Sequence, residues 1–276
     1  MTERNAADAG PGGVAVGGIV NKAGLQRRSK IALAAAVLGL GALLWTLRDP
    51  TPALPDFAAI EDVETLKREF FSFLAPQVDE VNARVREQRA RLLALAEIIE
   101  QGKTPGWRDR RWLQALAQEY EVELDLDAPE QALALLRRRV DVVPAPLALV
   151  QAATESGWGR SRFAVEGNNL FGHWCYEPGC GVVPAQRPPG AHHEVAVFDS
   201  VRHAVRRYLH NLNTHPAYLP LRERREALRR QGQALETLAL VDGLVEYSER
   251  REAYVEEIRS VLEFNRTLIE DATGSS

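Results

Sequence analysis

The sequence holds only two cysteines among its 276 residues, Cys175 and Cys180. Disulfides therefore cannot hold the fold; at most one bridge pins a loop. An excess of one charge sign is also missing. Lys and Arg number 34 against 38 Asp and Glu, interleaved, for a net charge of −4. That balance lacks the clustered basic surface of a nucleic-acid binder, so no nucleic-acid partner is expected. Long β-rich runs are scarce, while Ala, Leu, Glu and Arg dominate, which predicts a mainly helical protein. Familiar catalytic signatures are absent too. There is no His-Glu-x-x-His and no nucleophilic-serine elbow, so protease and esterase chemistry have no support. The stretch "GPGGVAVGG" has no strand before it and no Lys-Ser/Thr after it, so it is not a phosphate loop.

What is present divides the chain. Residues 1–30 are Gly/Ala-rich and polar and read as a disordered cytoplasmic tail. Residues 31–47 are uncharged and span roughly 25 Å as a helix, the lower end of a membrane crossing. Lys22, Arg27, Arg28 and Lys30 precede the run, while Arg48 after it is offset by Asp49. The positive-inside rule then places the N-terminus in the cytoplasm and the rest in the periplasm, with the cytoplasmic membrane as partner. Trp45 suits the outer interface. A cleaved signal peptide ending at Ala53 is the rival reading. A Pro-rich linker follows at 48–59.

Residues 60–135 read as an accessory helical region. Pro76 predicts a break near Ala75, and beyond it Val78, Val81, Val85, Leu92, Leu95 and Ile99 recur at helical spacing. Another helix is expected at 107–120. Asp127, with Glu130 three positions on, looks like a capping pair. Residues 136–272 form the expected catalytic domain. Pro146 opens a helix as a first-turn proline. Residues 160–200 are poor in helix signals and rich in Gly and Pro. The alternation in "HEVAVFDS" predicts a small hairpin or three-stranded patch. Helices resume from 200 onward, interrupted at "NTHPAYLP".

The chemistry concentrates in "ATESGWGRSRFAVEGNNLFGHWC". Glu155 sits near a helix C-terminus, where the macrodipole is negative and disfavours a charged carboxylate. Burial against Trp158 and the apolar helix acts in the same direction, so its pKa should be raised. A carboxyl that stays protonated near neutral pH is what a general acid requires. Gly157 and Gly159 allow positive φ, and Asn168 and Asn169 suit a turn by the same means. Cys175 and Cys180 flank the Pro178-Gly179 bend, so a disulfide is the default outside the cytoplasm. A metal site on these cysteines with His173, His192 and His193 fits no usual zinc spacing, and neither metal nor cofactor is expected.

The string from Gln151 to Trp174, with "HHEVAVFDSV" and "YLHNLNTHPAYLPLRERR", resembles the glucosaminidases of glycoside hydrolase family 73. It is most similar to their Bax-like branch, of mannosyl-glycoprotein endo-β-N-acetylglucosaminidase type. The resemblance covers roughly residues 140–270. It implies an α+β, lysozyme-like helical domain with a small β-lobe. It also implies cleavage of the β-1,4 bond after N-acetylglucosamine in peptidoglycan, with Glu155 as general acid. The second group stays open among Glu194, Glu166, Glu177 and the substrate's own acetamido group. Glu194 falls where related enzymes carry a β-lobe acid. Tyr247 matches a cleft-lining tyrosine, and Tyr254 reads as packing. Phe171 and Trp174 are candidates to stack sugar rings. Asn213, with Asn211 and His215, is a candidate to hydrogen-bond them. A lytic transglycosylase and a non-catalytic wall-binding scaffold are the alternatives.

Overall fold

The computed structural model describes residues 51–184, 187 and 190–274. The expected tail and anchor, 1–47, lie outside the described residues. No helix among the described residues is long and apolar enough to cross a membrane.

Among the described residues, ten α-helices and three short strands follow one another. They are α1 (Val63–Glu100), α2 (Trp107–Glu119), α3 (Glu130–Arg139), α4 (Ala145–Ser156) and α5 (Arg162–Gly167), then β1 (Trp174–Cys175), β2 (Gly181–Val182) and β3 (Glu194–Ala196). The chain finishes with α6 (Val201–Thr214), α7 (Leu219–Arg230), α8 (Thr237–Val241), α9 (Glu252–Phe264) and α10 (Arg266–Thr273). The mainly helical expectation holds, with a small β-lobe in its middle. The lobe is antiparallel, in order β1-β3-β2, with Cys175 opposite Glu194 and Val182 opposite Val195. β3 is the central strand. Its "EVA" residues lie within the run that marked it in the sequence, but the alternation does not carry through, since Val195 is buried and Val197, past the strand, is 48% exposed.

Helix α1 corrects one expectation. It runs unbroken for 38 residues through Pro76. A proline there deletes one ladder hydrogen bond, at a cost near 3 kcal/mol. Leu74, Ala75 and Val78, fully buried on either side of it, offset that cost through packing. α1 also serves two cores. Its first half joins the core of α4, α6, α9 and α10 through Leu66, Phe70, Phe71 and Leu74. Its second half packs Leu92 and Ala96 against Leu113, Leu116, Leu133 and Leu136 of α2 and α3. The cap of α3 is likewise not Asp127. The helix starts after Pro129, and Asp127 donates its own N–H to the Asp125 carboxylate. The helical stretch at the end of the described chain is divided at Asn265.

Asp141, after α3, joins the two cores. Its side chain is 3% exposed and pairs with Arg229 at 2.9 Å, Arg89 at 3.4 Å and Arg225 at 3.8 Å. Arg225 is itself buried and binds the carbonyls of Arg138, Asp141 and Val142. Burial pushes the Asp141 carboxyl up, but the Arg229 hydrogen bond and the Arg225 and Arg89 charges outweigh it and hold it below the usual range. Asp141→Asn is expected to destabilise the fold by about 3–5 kcal/mol, because the guanidiniums remain buried without their counter-charge. A thermal melt should show a fall on the order of 10 °C at neutral pH. The depressed pKa means this stabilisation is present above the unfolded-state value and is lost as pH falls through the folded one. The gap between variant and wild type should therefore close in acid.

Candidate active site

The geometry starts from the end of α4. Gly157 closes the helix with φ +57, and the N–H groups of Gly157 and Trp158 both donate to the Ala153 carbonyl. This is a left-handed cap of the kind glycine favours. Trp158 and Gly159 also have positive φ, at +62 and +77. Three such residues in succession turn the chain sharply, leaving Glu155 on an open flank. The Ser156 hydroxyl donates to Ala152 O and accepts from Gly159 N–H, which locks the turn. Trp158 sits edge-on to Phe70 and Phe71 of α1. Its ring thus ties the corner to α1.

The Glu155 side chain keeps solvent on one side. Protein crowds the other, and that desolvation raises its pKa above the usual carboxylate range. A hydrogen bond from Tyr254 opposes the shift, Glu257 adds to it and Arg250 opposes it. The expected raised pKa is therefore present. Its cause is burial, which the bond from Tyr254 partly offsets.

The tyrosines around Glu155 form a connected network. The Tyr208 hydroxyl of α6 donates to Gln151 Oε1, and Gln151 Nε2 donates to the Tyr254 hydroxyl at 2.9 Å. The Tyr254 hydroxyl of α9 is the group bonded to Glu155. Gln151 lies one turn before Glu155 on the same face of α4. Tyr247 stacks on Tyr254 with ring centroids 5.3 Å apart and approaches Tyr218 at 5.7 Å. Its hydroxyl donates to the Phe171 carbonyl at 3.3 Å. Tyr254 is thus a partner of Glu155 and not packing alone. Gln151, Tyr208 and Tyr218 were not anticipated. The i, i+4 spacing of Gln151 to Glu155 was the one legible signal.

The Asn-Leu-Phe-Gly turn lies against the acid. A Cβ on Gly172 would stand 3.8 Å from Glu155 Oε2, and its φ is +66. Asn168 has the expected positive φ, +52. Asn169 does not. It is buried, its amide donates to the His173 and Ala196 carbonyls, and its oxygen accepts from the Phe171 and His173 amides. Asn169 therefore fastens the turn to β3. His173 beside it is pushed down to about 4 by burial, with Arg207 adding to the effect.

The remaining candidates separate. Phe171 is 3% exposed and stacked on Tyr208 at 4.1 Å, so its ring is core and offers no face to a sugar. Asn213 is fully buried, donates to Asp141 O and accepts from Arg225. It belongs to the joint between the cores and is not available to substrate. Trp174 is 56% exposed and stacks on His193 at 4.2 Å, an open aromatic platform on the β-lobe. Cys175 and Cys180 form the expected disulfide. Glu194 accepts from the amides of Gly179 at 3.1 Å and Gly181 at 2.8 Å, within the disulfide turn. Those bonds hold its carboxyl below the usual range, so it stays ionised while its oxygens fasten the loop. Glu166 is in α5, paired loosely with Arg162 at 3.8 Å. Glu177 lies in the disulfide turn, its carbonyl accepting from Cys180.

Chemically, one half-desolvated carboxyl faces solvent with a single hydroxyl donor behind it. That arrangement can deliver a proton to a bound leaving-group oxygen. Comparison with known proteins identifies the kind of domain that carries this carboxyl. Residues 130–266 match the glucosaminidase family model, described as mannosyl-glycoprotein endo-beta-N-acetylglucosaminidase. No solved structure matches the chain. Protein bax of Escherichia coli (strain K12) is 31% identical over 218 residues, which is 79% of this chain and 76% of that protein. The glucosaminidase domain and the extent of that similarity together show that the chain belongs to the Bax-like glucosaminidase family of glycosidases.

Proposed function

We propose that this protein is a peptidoglycan hydrolase that cleaves the β-1,4 bond after N-acetylglucosamine, with Glu155 as general acid. The observation that carries the reading is the raised pKa of Glu155 beside Tyr254 and Gly172, within a glucosaminidase domain. Glu155 protonates the glycosidic oxygen as the bond breaks, and water completes hydrolysis. Tyr247, stacked on Tyr254, orients the acetamido group or that water. Trp174 offers an exposed ring to a sugar face. Glu194 remains the ionised carboxylate of the β-lobe; its bonds to the disulfide turn favour a role in fixing that wall. The uncharged run at 31–47 would place the enzyme on the cytoplasmic membrane with its domain in the periplasm.

A single acid whose candidate partner is engaged elsewhere also suits a lytic transglycosylase, which closes an anhydro ring on N-acetylmuramic acid. Mass spectrometry of digested sacculi separates the two. Reducing N-acetylglucosamine ends support hydrolysis, anhydromuropeptides replace it with the transglycosylase, and binding without release favours a scaffold. The acid must be protonated to act, so kcat/KM is expected to fall as pH rises through the raised Glu155 pKa of the free enzyme. A pH–rate profile whose alkaline limb is unchanged in Tyr254→Phe would contradict this, because that hydroxyl hydrogen-bonds the carboxylate.

A further inference from the structure

A hollow of about 210 Å³ lies between α1, α6 and the end of α2, and none of its lining residues belongs to the site around Glu155. Its apolar surface comes from Val81, Val85 and Leu209, all nearly buried. Around it stand three exposed arginines, Arg84 from α1 and Arg206 and Arg207 from α6. Among the described residues, no carboxylate pairs with any of the three. Neighbouring arginines behave differently: Arg89, Arg138 and Arg202 pair with Asp141, Glu226 and Glu80. Glu119 is the one acid in the lining, and its carboxylate accepts from Gln88 Nε2 at 3.0 Å. In a chain of net charge −4, a cationic rim over an apolar floor is a local exception.

We propose that this hollow docks an acidic peptide segment carrying an apolar anchor residue. Its volume is below the roughly 300–1,000 Å³ of pockets that enclose whole small molecules, and suits one inserted side chain. An apolar anchor in a desolvated pocket supplies binding energy. Carboxylates on either side of the anchor would meet guanidiniums from two helices, which hold planar anions in paired hydrogen bonds. The opposite charges would also speed encounter and fix direction. The proposal does not depend on glycosidase activity.

Fluorescence anisotropy on the full chain tests it, using a labelled capped peptide of one leucine flanked on each side by three glutamates. Binding is expected, weakening as salt rises. Arg206→Glu with Arg207→Glu should weaken it at least tenfold, and Arg84→Glu on the opposite wall should also weaken it. These side chains are exposed, so circular dichroism should show the fold intact. Replacing the peptide's leucine by glycine should cost at least tenfold more. No binding, binding indifferent to the charge reversals, or equal binding of the glycine peptide would each overturn the proposal. So would vesicles of phosphatidylglycerol binding in an arginine-dependent way while the peptide does not, since the surface would then read a lipid.

Discussion

Glu155→Gln is expected to lower peptidoglycan turnover about a thousandfold, the scale of a positioned general acid, without unfolding the protein. Glutamine keeps the length and can still accept from Tyr254, so the corner of α4 retains its shape. What disappears is the transferable proton. Stability should change in the opposite direction. Desolvation raises the folded-state pKa of Glu155. The native state therefore binds a proton that the unfolded state has released, over the window between the two values. Native stability falls as pH rises through that window. Glutamine has no such penalty, so the variant should melt above wild type at neutral pH and coincide with it in acid. A variant that is inactive but less stable at neutral pH would mean the carboxylate is structural. A variant that still degrades sacculi would remove the acid from Glu155.

Gly159→Ala should do the reverse, damaging the frame while leaving every titrating group in place. A Cβ at this position would stand 2.6 Å from the Phe57 ring, on a residue whose φ is +77. Overpacking costs about 1–3 kcal/mol, and the left-handed backbone adds roughly 1 kcal/mol. Phe57 cannot easily move aside. It is buried against Phe70 and Phe73, and Arg160 binds the carbonyls of Phe57 and Ile60 at 3.2 and 2.6 Å. Residues 57–60 are thus strapped beneath the corner that carries Glu155, although they precede the family-matched region. We expect a fall in melting temperature on the order of 10 °C. In protein that stays folded, kcat should fall more than KM rises, because the corner sets where the acid points. Phe57→Ala opens the space instead and should cost about 3–5 kcal/mol. The double variant should then lose less than the sum, since the clash has been removed.

Local chemistry was legible in the sequence, and contacts across the fold were not. The glycines at 157 and 159, the proline in the first turn of α4 and the short strand β3 all act over a few residues. Each is found where the pattern put it. The raised pKa of Glu155 was also legible in direction, because a helix end and apolar neighbours can be read from spacing. The tyrosines around it were not, since Tyr208, Tyr218, Tyr247 and Tyr254 come from segments far from Glu155 in the chain. Pro76 shows propensity overruled by packing that no local window contains. Phe171 and Asn213 show the limit of assigning roles by residue type. A ring and an amide suit a sugar site equally well as core, and only burial decides.

Carbon-13 NMR titration of labelled glutamates, with the Glu155 signal assigned by its loss in Glu155→Gln, tests most directly whether this carboxyl is held as an acid. The expected result is a midpoint above those of the exposed glutamates, moving further upward in Tyr254→Phe and coinciding with the alkaline limb of kcat/KM. A Glu155 midpoint at or below the ordinary carboxylate range would contradict the account.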